Sequence, residues 1–147
     1  FGNTTRARGT HPRLTAGGGG GATNSTGNAG EVYDPNYIAG TTGNASLMAV
    51  TRALGGSSLA DNVRVVGINP GPVRTERIYT LLKKREMTLY GDESRYTELE
   101  ATYPLGRPAE IAEIADLTAF LASDRSAYTT GTIFSVDGGI ASRRSIV

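Results

Sequence analysis

The sequence predicts an α/β fold built on a parallel sheet, and three observations carry that prediction. Two short apolar runs, 63–68 (VRVVGI) and 132–136 (TIFSV), are rich in β-branched residues and end at turn signals. A strong helical pattern at 111–122 lies between them. A further helical pattern, from residue 45 to residue 54, precedes the first run. Helix, strand, helical loop, helix, strand is the alternation that yields right-handed βαβ units.

Taken in order, the chain opens with a polar, aperiodic stretch that ends in five glycines at 17–21. Such a run loses the most backbone entropy on ordering and offers no side chains to pack. Residues 1–21 are therefore expected to be a flexible or non-native glycine-rich segment, with 22–147 as the folded unit. A phosphate-cradling loop is the alternative, but that job needs a strand before the glycines and a helix directly after them. His11-Pro12-Arg13-Leu14 is no strand, and 22–28 is turn-rich.

From Ala45 onward Leu47, Val50, Thr51 and Leu54 recur at helical spacing, and Gly55-Gly56 stops the pattern. The run 63–68 ends at Asn69-Pro70-Gly71 and reads as a strand buried on both faces. Two weaker helical stretches follow, one with Ile78, Leu81 and Leu82 and one with Tyr96, Leu99 and Tyr103, separated by Gly91-Asp92. Pro108 suits a first helical turn, with Glu110 complementing the dipole. Ile111, Ile114, Ala115, Thr118, Leu121 and Ala122 then share one face, expected to pack on a sheet containing both strands. The last strand closes at Asp137-Gly138-Gly139.

Fifteen basic and fourteen acidic side chains give a formal net charge of +1. That balance excludes a dedicated nucleic-acid surface, which needs a basic stripe; Lys83-Lys84-Arg85 and Arg143-Arg144 read as a solvated helix face and a tail. With no cysteine and one histidine, His11, no metal site is expected. No apolar stretch approaches the ~20 residues of a membrane span, and nothing argues for export, so the expected compartment is cytoplasmic.

Four blocks then resemble the short-chain dehydrogenase/reductase family in order and spacing. Residues 44–54 (NASLMAVTRAL) resemble the long helix after its catalytic tyrosine. Residues 63–75 (VRVVGINPGPVRT) resemble the sixth strand with its Pro-Gly-x-x-x-Thr turn. Residues 105–124 (LGRPAEIAEIADLTAFLASD) resemble the next helix, and 130–139 (TGTIFSVDGG) the last strand. The resemblance implies a partial doubly wound, Rossmann-like parallel sheet, its C-terminal half only. The implied activity is hydride transfer between NAD or NADP and a small-molecule carbonyl or alcohol, in a homo-oligomer that binds neither nucleic acid nor membrane.

In that fold Pro70, Gly71 and Val73 offer main-chain groups near the nicotinamide carboxamide and Thr75 adds a hydroxyl; the alternative is an ordinary strand-ending turn. Residues 75–103 would form the substrate loop, with Tyr79, Met87, Tyr90, Tyr96 and Tyr103 lining a pocket or simply packing a helical pair. The family uses Tyr-x-x-x-Lys and an upstream serine as a proton relay. Here a gapless count puts Gly40 at the tyrosine, Asn44 at the lysine and Gly27 at the serine, with Ser25 and Thr26 just before it. The candidate catalytic residues are therefore Tyr37, three residues early, with Asn44 and Thr26. The residue four beyond Tyr37 is Thr41, which carries no cation, and a phenol without one is a poor base at neutral pH.

The alternative is a catalytically silent relative serving assembly or ligand binding. The family's Gly-x-x-x-Gly-x-Gly turn does not occur here, and the strand expected just before Asn24 is occupied by glycines. The chain by itself is accordingly expected to show no nicotinamide-dependent turnover.

Overall fold

A computed structural model describes residues 20–143. Three parallel strands, β1 (Gly20–Ser25), β2 (Val63–Pro70) and β3 (Ile133–Val136), lie side by side in that order. Gly20 pairs with Val63 and Ser25 with Ile68; on the other side Gly67 pairs with Ile133 and Pro70 with Val136. Helix α1 (Ile38–Gly55) connects β1 to β2. Helices α2 (Glu76–Tyr90), α3 (Tyr96–Glu100) and α4 (Ile111–Ala122) lie between β2 and β3. Among the described residues no helix is long and apolar enough to cross a membrane.

Strand β2 is central, and Val63, Val65, Val66, Ile68 and Asn69 are all buried. That explains its unbroken apolar run, because helices cover both faces. Val66 and Ile68 pack against Leu121, with Ile114 and Leu117 of α4 beside them. The alternate positions face α1: Asn69 donates from Nδ2 to the Met48 sulfur at 3.5 Å. From β1, Asn24 donates to the Thr51 hydroxyl at 2.9 Å.

Strand β1 corrects the sequence expectation. Gly20 and Gly21 open a strand instead of ending a flexible segment, and it runs into the stretch read as turn-rich. Its residues have little strand propensity, but pairing along β2 satisfies the backbone whatever the side chains are, and such context overrides propensity. Gly17, Gly18 and Gly19, with the rest of 1–19, lie outside the described residues.

Helix α1 begins at Ile38, seven residues ahead of the predicted start at Ala45. Gly40, Thr41, Thr42 and Gly43 are poor helix formers and hid its first turns. Its buried stripe is Thr41, Met48, Thr51 and Gly55, while Leu47, Val50 and Leu54 are only half-buried. Gly55 lets two backbones touch: a Cβ there would lie 2.2 Å from the amide nitrogen of Gly131.

Helix α4 differs from expectation in two ways. Pro108 precedes the helix, Ala109 forms a parallel bridge with Val73, and Glu110 is the N-cap. The inward face is Leu121, buried, with Ile114, Leu117 and Thr118 half-buried, whereas Ile111 is 61% exposed and Ala115 and Ala122 are exposed as well. The bridge to Val73 fixes how the chain enters the helix, and that entry turns Ile111 outward.

Both ends of α4 are closed by charge-assisted hydrogen bonds. At the C-terminus the Arg64 guanidinium donates to the carbonyls of Leu121, Ala122, Ser123 and Ser126, at 2.5–3.2 Å. The Leu121 and Ala122 carbonyls are ones the helix end leaves without intrahelical donors, while Ser123 O and Ser126 O also accept the amides of Ser126 and Thr129. Arg64→Met is expected to cost about 2 kcal/mol in urea titrations. Arg64→Lys should recover only part, since an ammonium cannot span four carbonyls. A loss below ~0.5 kcal/mol would mean water serves those carbonyls equally well.

At the N-terminus Glu113 accepts both Arg107 Nη groups at 2.9 Å and the Glu110 amide at 2.6 Å. The Arg107 hydrogen bonds, and then the Glu110 amide, hold the Glu113 carboxyl at about 2 against its ordinary 4.5. The folded value lies below the unfolded one, so this contribution is present above about pH 4.5 and is lost as pH falls towards 2. The stability difference between the native protein and Glu113→Gln should therefore shrink across that window. A gap that stays constant down to pH 2 would refute the assignment.

Candidate functional site

Because the three strands are parallel, their carboxyl ends share one edge of the sheet, where open α/β sheets hold ligands. Thr26 follows β1, the turn 70–75 follows β2, and Asp137 follows β3.

The turn is braced by main-chain bonds. Gly71 donates to Val136 O at 3.0 Å, Arg74 to Ala109 O at 2.8 Å, and Ala109 to Pro72 O at 2.8 Å. The last two engage the residues on either side of Val73, so the Val73 amide is directed away from residue 109. Thr75 is the N-cap of α2: its hydroxyl oxygen accepts from Ile78 at 3.4 Å and its hydroxyl donates to Val73 O at 3.3 Å. The four turn residues are half-buried or exposed and stay accessible.

A second group forms where β1 leads towards α1. The Asp34 carboxylate accepts from the Asn36 amide at 2.8 Å and caps a short 3₁₀ turn, Pro35–Tyr37, whose proline presets φ. That turn leaves Tyr37 at the N-cap of α1 with its ring folded over Gly40. A Cβ on Gly40 would fall 1.8 Å from Tyr37 Cε1 and 2.1 Å from Cζ. One turn further, Asn44 donates from Nδ2 to Gly40 O at 2.9 Å. Its amide also lies beside Gly27, 3.5–3.6 Å from where a Cβ would be. Gly27, Gly40, Asn44 and Tyr37 thus converge. Tyr37 is 48% exposed, so its ring is accessible to a ligand.

Thr26 does not join them. Its hydroxyl donates to Ile68 O at 3.1 Å and bonds closely to Asn69 Oδ1, so it locks β1 to β2. Asn69 is fully buried and was missed by sequence reasoning, although Asn-Pro-Gly at a strand end was its signal. Asn28 and Asp137 were missed too: a Cβ on Gly71 would meet Asp137 Cβ at 2.8 Å and Asn28 Nδ2 at 3.6 Å. The Asp137 carboxylate accepts from the Gly139 and Ala141 amides, both at 2.8 Å, and shapes the turn after β3.

The aromatic residues of the helical segment divide between the two roles left open. Tyr79 and Tyr96 meet edge to face with centroids 5.9 Å apart, Lys83 caps Tyr96 and Arg95 caps Tyr90, which is internal packing. Met87 is 50% exposed and contributes to neither. Tyr103 instead lines a cavity of about 450 Å³ with Pro72, Leu105, Val136 and Ile140. Burial pushes its phenol above the ordinary value, opposed by Arg85 and assisted by Glu100. Among the described residues no cluster of three or more His, Cys, Asp or Glu could hold a metal ion.

A family described as "Enoyl-(Acyl carrier protein) reductase" matches residues 2–141. Its solved neighbours include a short chain dehydrogenase family protein from Francisella tularensis, with a TM-score of 0.78 and 27% identity over 86% of this chain. The chain belongs to the short-chain dehydrogenase/reductase family. The oxidoreductase UcpA of Salmonella typhimurium is 37% identical over 108 residues, 74% of this chain and 40% of the relative. L-sorbose reductase from Gluconobacter frateurii, solved with NADPH and L-sorbose, superposes with a TM-score of 0.77 at 31% identity. It covers 94% of this chain and 53% of its own, and the Francisella protein is covered over 52%. The chain thus spans about 40% of the length of UcpA and half of these solved relatives. Their shared α/β fold with a parallel sheet is the fold described above.

Proposed function

We propose that this short-chain dehydrogenase/reductase chain forms the nicotinamide-side and substrate-side half of an oxidoreductase that interconverts a small alcohol and its carbonyl. The observation that carries this reading is the Tyr37 ring over Gly40, the position at which the family's tyrosine is expected. The Tyr37 hydroxyl gives its proton to a carbonyl oxygen undergoing reduction, and the phenolate left behind recovers one from solvent; in the reverse direction that phenolate takes the proton of the alcohol. Asn44 has its Nδ2 engaged on Gly40, which leaves Oδ1 to accept from a ribose hydroxyl. Thr26 holds the strands in register from behind. The turn fits the cofactor's carboxamide, a group with one donor and one acceptor face. The Val73 main chain, flanked by Pro70, Gly71 and Thr75, offers both complements and is turned away from Ala109. When bound, NAD or NADP supplies or accepts the hydride.

The test is a purified protein assayed for nicotinamide absorbance change with both cofactors and a panel of polyols, ketones and secondary alcohols. Turnover supports the reading; since the chain by itself is expected to show none, the outcome that overturns it is the absence of both nucleotide binding and turnover when the chain is joined to the glycine-rich half of a relative. A second reading, a silent relative serving assembly or ligand binding, is favoured by glycines at two relay positions and by the engaged Thr26 hydroxyl. The exposed Ile111 and Phe120 of α4 suit contact with a second copy. Nucleotide binding without turnover would decide for that reading.

A further inference from the structure

Arg74 stands between Val73 and Thr75, and its side chain joins three other parts of the fold. Nε lies 2.9 Å from a Glu110 carboxylate oxygen, at the N-cap of α4, an ion pair in which the N–H is not aimed at the oxygen. Nη1 donates to the Tyr79 hydroxyl oxygen at 3.0 Å, in the first turns of α2. Nη2 lies 3.8 Å from the carboxylate of Glu100, the last residue of α3. The Tyr79 hydroxyl in turn donates to the same Glu100 oxygen at 3.5 Å, and Tyr79 meets Tyr96 edge to face. The Glu100 side chain is 17% exposed, whereas Arg74 and Glu110 are 40% and 46% exposed, so the cluster is sheltered on its Glu100 side and open on the other.

The segment 76–100 packs chiefly on itself, α2 against α3 and the short turn before it. Besides the Thr75 cap on Ile78, the Arg74 guanidinium is a side-chain tie that joins this segment to both the turn after β2 and the start of α4. A partly exposed pair contributes ~0–1 kcal/mol. Stability alone is a weak account of so many converging groups. What this side chain does supply is one directed hydrogen bond, to Tyr79, together with a permanent charge that faces the carboxylates of Glu100 and Glu110 at once.

We propose that Arg74 is a positioning residue: it fixes where the helical segment 76–100 stands over the turn 70–75, and thereby shapes the substrate side of the site. The statement about substrate rests on the oxidoreductase reading above. The statement about position does not.

The experiment combines amide hydrogen exchange with steady-state kinetics on Arg74→Met, Tyr79→Phe and Glu110→Gln. Arg95→Met serves as a control that breaks an exposed ion pair within the segment. Arg74→Met should speed exchange across 76–100 about tenfold and leave β2 unchanged. It should raise substrate KM about tenfold with kcat within about threefold and nucleotide affinity unaltered. Tyr79→Phe and Glu110→Gln, cutting the helix and α4 links separately, should each give part of both effects; Arg95→Met should give neither. Unchanged exchange across 76–100 in Arg74→Met overturns the proposal. So does faster exchange with an unchanged substrate KM in an active protein. If the unsubstituted protein shows no turnover, the statement about substrate falls, and exchange alone then decides whether Arg74 positions the segment.

Discussion

In an active protein that carries this chain joined to a glycine-rich cofactor-phosphate half, Tyr37→Phe should lower turnover by a factor of ~10²–10⁴, the usual contribution of a positioned proton donor, while nucleotide affinity stays near that of the unsubstituted protein. The ring itself is retained, so its packing over Gly40 and the start of α1 should survive; only the hydroxyl is lost. The split between binding and turnover is therefore diagnostic. A Tyr37→Phe protein that keeps full turnover would show that another group moves the proton. The 147-residue sequence has no Tyr-x-x-x-Lys in the family's register to take over. Equal loss of nucleotide binding would instead point to a structural role for the hydroxyl.

The second large effect belongs to the core. Leu121 is 1% exposed and packs on Val66 and Ile68, with Ile114 and Leu117 alongside. Leu121→Ala should cost ~2–5 kcal/mol through lost burial and the cavity left behind. Against an ordinary total of ~5–15 kcal/mol, that is enough to move a thermal midpoint far. Leu121→Asp should leave no cooperative unfolding transition. Ile111→Asp, on the same helix but 61% exposed, should be nearly neutral. Comparable destabilisation by the two aspartates would mean that the helix is rotated from the orientation described.

The contrast between Leu121 and Ile111 also shows where the sequence was legible. The sequence of α4, IAEIADLTAFLA, carries apolar residues on more than one face. Periodicity alone identifies such a helix but leaves its rotation open, and Leu117 was lost to Ile111 and Ala115 in that ambiguity. Strand β2 was readable because burial on both faces demands apolar side chains throughout. Strand β1, sequence GGATNS, carries no such demand and exists through pairing with its neighbour. In the site, the turn after β2 announced itself through Asn-Pro-Gly. The relation between Tyr37 and Gly40 did not, because it depends on how a 3₁₀ turn feeds the helix. Arg74 was silent for a different reason: Glu100 and Glu110 are far along the chain, and no local pattern links them to it.

The backbone contact between Gly55 and Gly131 has a mechanical meaning. Helix α1 is pinned to the sheet at its C-terminal end, where two main chains meet without intervening side chains. A second close approach lies towards the opposite end, where a Cβ on Gly30 would fall 2.9 Å from the Ala45 amide nitrogen and 3.1 Å from the Asn44 carbonyl carbon. The helix is thus clamped at two glycine contacts about 15 Å apart at 1.5 Å per residue. A displacement of about 1 Å costs a well-aligned reaction about a hundredfold, and the two clamps resist the tilt that would carry Gly40 and Asn44 through it.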